Sequence, residues 1–434
     1  MGSVAGAGDE VDGAAFSRPR QLPKYVSDLA KKSYEYEAEK KNVSAMFQKS
    51  DLHVWLLVIM GIFYTIPAIQ VVFNQQTALQ TTGNQDVCYY NFLCSAPVLA
   101  VTDFNHIFSN IWYMGFGVIF VLLTWHRQWK HGKALAMMRE AGIEPRYGLP
   151  QHFGIFYAMG IGIVFEGVLS SCYHVCPTNE NFQFDTTFMY LTSTLALIKI
   201  YQFRHPDIVS KAYKVFLCLG GVMLLEVIGI FFESTLFWVL TLIGYALVCV
   251  VLTFILYHSG EFSLNYKVFY NMYKSTAHFI EHRSYAWTVR HVVLASLVNG
   301  VNFLLILYGA ISRPDISSYL LYVFIANLMV YNTYYVTMKL VNKETITVKP
   351  ILYAIVAVVC WVPALYYFNQ VQYSSLLTPA ESRNINEECV IGNLSDNHDI
   401  WHMLSAAGLF FTFLMLMTLD DGLFHVPREK IPIF

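Results

Sequence analysis

The strongest constraint on this chain is a series of apolar runs, each long enough to cross a bilayer. A spanning helix needs about 20 mostly apolar residues, and in lipid only helices and closed barrels satisfy their own backbone groups. About ten such runs occur, at 53–74, 106–126, 152–175, 187–203, 212–232, 236–258, 291–311, 317–341, 350–368 and 399–419. The fourth is short and polar at both ends. None shows the strand-like alternation of a barrel. Composition agrees: 56% of residues are hydrophobic and 13% charged, against roughly a quarter charged in a soluble domain. The expected fold is all-α, a polytopic membrane bundle of about ten transmembrane helices over 51–434. A polar cytosolic tail, 1–50, precedes it and is expected to be mostly disordered. Its Gly- and Ala-rich start lacks the apolar core of a signal peptide.

Lys and Arg set the orientation. Arg127, Lys130, Lys133, Arg139, Arg146, Arg204, Lys211, Lys267, Lys274, Arg283, Arg290, Lys343 and Lys349 fall in one set of loops. Loops 75–105 and 176–186 have neither residue, and the later alternate loops offer Arg313 and Arg383. The bias places both termini in the cytosol and loops 75–105, 176–186 and 369–398 outside or in a lumen. Cys88, Cys94, Cys176 and Cys389 all fall on that outer face. Four cysteines in an oxidising compartment predict two disulfides, with three connectivities open. Asn393 heads an outer Asn-Leu-Ser sequon and is the expected glycosylation site.

Polar residues collect at one depth on that outer side. Glu166, Ser170 and His174 are spaced i, i+4, i+8, so they share one helix face. Such groups are costly in a membrane helix unless they meet partners. Asp185 starts the next span on the same side, and His398 and His402, also i, i+4, start the last one. A helical His pair and a third His from elsewhere form a facial metal set, and neutral imidazoles with an open position favour Zn²⁺. In this reading His174, His398 and His402 are the metal ligands. Asp185 is a proton acceptor, and Ser170 steadies water or a developing oxyanion.

The pattern Ser170-x3-His174, Asp185, His398-x3-His402 resembles the shared signature of alkaline ceramidases, adiponectin receptors and their relatives. Longer stretches narrow it: "DVCYYNFLC", "HFGIFYAMG", "CYHVCPTNENFQFDTTFMY", "LTPAESRN", "DNHDIWHMLSA" and "TLDDGLFHVPREKIPIF". These resemble the systemic RNA-interference-defective transmembrane family, double-stranded-RNA transporters, over about 50–434. The resemblance implies zinc on the three His, with the Ser and Asp flanking its water. It implies double-stranded RNA as cargo, membrane lipids and cholesterol as ligands, and a homodimer. The expected location is the plasma membrane or a lysosomal or endosomal membrane. The family usually carries a β-rich ectodomain and one further membrane helix ahead of this region, so the chain resembles a truncated or alternatively started form.

Two functions follow. Family resemblance favours transport of nucleic acid or lipid. The residue set itself favours zinc-dependent hydrolysis of lipid amides or esters. Smaller signals are a cholesterol-contact pattern at Val268–Lys274, Cys172 near the metal residues, and Asp420 and Asp421. Those two acids oppose the dipole of the last helix and call for partners.

Overall fold

The computed structural model describes residues 43–99, 101–142, 147–205, 212–232, 234–259, 289–370 and 377–434. Among the described residues, ten long helices match the ten apolar runs. They are α1 (Val43–Thr82), α3 (Ile111–Glu140), α4 (Gly154–Tyr173), α5 (Gln183–Arg204), α6 (Ala212–Phe231), α7 (Thr235–Ser259), α8 (Val289–Ser312), α9 (Ile316–Val341), α10 (Val348–Gln370) and α11 (Asn397–Thr418). A short helix, α2 (Phe104–Ser109), leads into α3. Helix α1 already includes residues 43–50, the end of the expected tail; the rest of the tail and Val268–Lys274 lie outside the described residues.

Nine helices among the described residues are long and apolar enough to cross a membrane; α5 is not one of them. Its polarity has a structural cause. Nearly every α5 side chain is buried by protein rather than lipid, between α4 and α9. Its polar groups therefore find partners inside the bundle. Thr187 donates to Glu226 at 2.9 Å and Lys199 to the His152 carbonyl at 2.7 Å. Only the outer helices must carry a lipid-compatible surface, as exposed Leu240, Leu247, Val358 and Val359 do.

Helix α4 is the hub, packed against α1, α3 and α5. Small residues permit that closeness. A Cβ on Gly117 of α3 would lie 2.8 Å from the Gly160 carbonyl of α4, and one on Gly162 would lie 2.5 Å from Thr192 of α5. Helix α11 packs on α10 and α3.

Each pole is locked differently. One carries two disulfides, Cys88–Cys176 and Cys94–Cys389, which join the three loops expected outside. At the other pole, α5, α9 and α11 meet in an ion cluster. Arg204 pairs with Glu344 at 2.7 Å and Asp420 at 3.3 Å, and Lys339 with Asp420 at 2.6 Å and Glu344 at 2.9 Å. Arg127 holds Asp421. These are the partners that the two acids after α11 require.

Candidate metal centre

Three segments converge just inside the disulfide pole. Helix α4 ends at Tyr173, with His174 as its C-cap. The Cys88–Cys176 bridge fixes the chain as it turns back, and Asp185 sits in the first turn of α5. Asp396 caps α11 by accepting the backbone N–H groups of His398 and Asp399. That cap starts the helix so that His398 and His402 present one face.

The sequence-predicted residues come together. The His174 and His398 Nε2 atoms are 3.1 Å apart. The Asp185 carboxylate reaches His174 Nε2 at 3.8 Å, His398 Nε2 at 3.4 Å and His402 Nε2 at 3.5 Å. Ser170, one turn before His174, donates to Asp185 Oδ1. All five side chains are buried, none more than 4% exposed.

The donor set fits a cation. One ligand atom from each of His174, Asp185, His398 and His402 lies within 4.8 Å of all the others. Four ligand atoms in a tetrahedron with bonds of about 2.0–2.1 Å stand about 3.4 Å apart. The observed spacings of 3.1–3.8 Å bracket that edge. His402 Nε2 is buried with no hydrogen-bond partner, which is costly unless something else occupies its lone pair. Asp185, read from sequence as a proton acceptor beside the ligands, stands within the donor set itself.

The structure adds residues that the sequence reading missed. His106 of α2 lies between Asp103, at 2.5 Å from its Nδ1, and Asp396, at 2.7 Å from its Nε2. Its ring stacks on His174 with centroids 5.7 Å apart. Asn105 donates to Asp399 at 3.2 Å, and Ser109 Oγ lies 2.9 Å from His402 Nδ1. Burial raises the Asp103 carboxyl above its ordinary value against the pull of His106. Burial also opposes charge on Asp396, but His106 beside it and the Asn91 amide hold its carboxyl well below the usual range. The carboxylates flanking His398 in "DNHDIWH" were the available signal; the contribution of Asp103, His106 and Ser109 had none without the fold.

A cleft of about 70 Å³, lined by Tyr89, Asn91, Asn386, Glu387, Asp396 and His398 among others, lies at the disulfide pole beside the centre. Other residues of interest stand apart from the donors. Glu166 is buried deeper on α4 with its Oε2 unpartnered. Cys172 is a partly buried free thiol. Asn393 sits in an exposed turn at positive φ, 53°.

Comparison with known proteins places this architecture. A family profile described as "dsRNA-gated channel SID-1" matches residues 21–434. The human SID1 transmembrane family member 1 is 41% identical over 417 residues, covering 94% of this chain and 49% of that protein. The rat protein of the same name is 40% identical with the same coverage. Cholesterol uptake protein 1 of Caenorhabditis elegans is 35% identical over 413 residues, 94% of this chain and 53% of that protein. The chain thus spans about half the length of the curated relatives it matches. With its helical membrane bundle and a family profile matched across nearly the whole sequence, the chain belongs to the SID-1 family.

Proposed function

We propose that the chain acts in moving double-stranded RNA across a membrane, and that the disulfide pole of its bundle holds a zinc ion on His174, His398, His402 and Asp185. The family match over residues 21–434 carries the RNA reading. The four converging donors carry the metal reading. The pole faces the extracellular or luminal side, as the Lys and Arg bias predicts, in the plasma membrane or a lysosomal or endosomal membrane. A relative named for cholesterol uptake supports membrane lipids, cholesterol among them, as further ligands. Arg383 pairs with Asp86 and stacks over Phe92, and Arg313 donates to Thr235. Neither forms a broad phosphate-binding patch, so the RNA reading rests on the family rather than on these cations.

One observation favours a second reading, hydrolysis of a lipid amide or ester, as the likeness to alkaline ceramidases implies. Ser170 and Asp185 form a hydrogen-bonded pair directly against three imidazole nitrogens. In this reading zinc sits on the three imidazoles alone, with Asp185 beside it rather than bound, and at its open position would supply Lewis acidity for a carbonyl. Asp185 is placed to take a proton from an attacking water. The Ser170 hydroxyl holds the carboxylate in position. A cleft at the disulfide pole has His398 among its lining residues and is the candidate route for water.

The test combines uptake of labelled double-stranded RNA by cells expressing the chain with turnover of a ceramide and phospholipid panel by purified protein. Uptake by wild type that is lost in the His398→Ala, His402→Ala double variant supports transport dependent on the metal centre. No uptake above untransfected cells refutes transport by this chain. Turnover abolished by Asp185→Asn supports the hydrolase; turnover that survives it removes Asp185 from the chemistry.

A further inference from the structure

We propose that Ser109 and His106 of α2 are positioning residues for the metal centre. Ser109 fixes which nitrogen of His402 faces the other donors, and His106 fixes where α11 begins. The inference rests on the metal reading above, and both residues lie in a segment, 103–109, that supplies none of the four donors.

The argument for Ser109 is a proton count. Its hydroxyl carries one hydrogen and donates it to the His106 carbonyl at 2.8 Å. With that hydrogen on the His106 carbonyl, the oxygen accepts from His402 Nδ1, 2.9 Å away. His402 then carries its proton on Nδ1, and its Nε2 offers a lone pair towards Asp185 and the other two rings. The other tautomer would aim an N–H into the donor set and set two acceptors against each other at Ser109. Ser109 is 5% exposed and His402 1%, so water does not readily substitute for this contact.

His106 acts on the backbone. One Asp396 oxygen caps α11 through the N–H groups of His398, at 2.8 Å, and Asp399, at 3.0 Å. Its other oxygen receives His106 Nε2, at 2.7 Å, and the Asn91 amide, at 3.0 Å. Asp103 grips the opposite ring nitrogen. Asn105 adds a second tie from α2 to the first turn of α11 through Asp399. The cap that sets the first turn of α11, and with it the approach of His398 to His174, is thereby held by α2. Groups that hold the far nitrogen of a ligand imidazole typically contribute about 10–100-fold in metal affinity.

Two measurements on the purified full chain test this. In zinc competition against a chromophoric chelator, Ser109→Ala should bind about 10–100-fold more weakly, and Ser109→Thr, which keeps the hydroxyl, should recover to within about threefold. Retention of wild-type affinity in Ser109→Ala overturns the proposal and leaves the metal reading intact. Wild type holding no more zinc than a His174→Ala, His402→Ala variant overturns the metal reading and this inference with it. The second measurement needs no metal and reads the wild-type site directly: nitrogen NMR of histidine-labelled, zinc-free wild type, with His402 assigned by its loss in His402→Gln. Protonation at Nδ1 is expected; a proton on Nε2 overturns the role of Ser109.

Discussion

Replacing Lys339 by Met removes one cation from the cluster that ties α5, α9 and α11 together at the pole opposite the disulfides. Lys339 is fully buried and lies 2.6 Å from Asp420 and 2.9 Å from Glu344. In Lys339→Met, two buried carboxylates share the Arg204 guanidinium. Breaking a buried ion pair on one side costs about 3–5 kcal/mol, because a charge is left uncompensated. At about 2–4 °C per kcal/mol for a sizeable domain, the unfolding midpoint should fall by roughly 6–20 °C. Adding Asp420→Asn to Lys339→Met restores neutrality, with Arg204 on Glu344. The double variant should recover part of the loss, with a coupling of about 1–3 kcal/mol. Thermal unfolding of the purified chain in detergent, followed by tryptophan fluorescence, reads both. A double variant less stable than Lys339→Met would refute charge compensation and leave packing as the cluster's contribution.

Further outcomes follow from other parts of the bundle. His402→Ala should abolish retention of zinc through gel filtration, whereas Asp185→Asn, which keeps three nitrogens, should weaken it less; metal analysis of the eluted protein checks both. Gly160→Leu should lower the unfolding midpoint, since even a Cβ there meets Val121 at 2.8 Å and overpacking costs about 1–3 kcal/mol or more. Cys94→Ser with Cys389→Ser should cost about 2–5 kcal/mol and speed zinc loss to chelator, because that bridge anchors the loop leading into α11. Asn393→Gln should increase gel mobility as glycosidase treatment of wild type does; equal mobility of untreated wild type and variant would remove the glycan assignment.

The sequence by itself determined the membrane class, the long helices and that five polar residues would meet at one depth. Apolar run length is a local property, so α1, α4 and α11 could be read directly. The i, i+4 spacing of His398 and His402 declares a shared face before any packing is known. Helix α5 was harder to read because its polar side chains are satisfied by neighbouring helices, which a hydropathy window does not see. Only the tertiary structure paired Cys88 with Cys176 and Cys94 with Cys389, since connectivity depends on which loops meet. It alone set Asp185 against all three imidazoles and brought Asp103, with His106 and Ser109 of α2, against a helix that starts nearly three hundred residues later. Short polar segments carry no periodicity of their own. Their roles arise from the groups that folding buries beside them, where each donor and acceptor must find a partner.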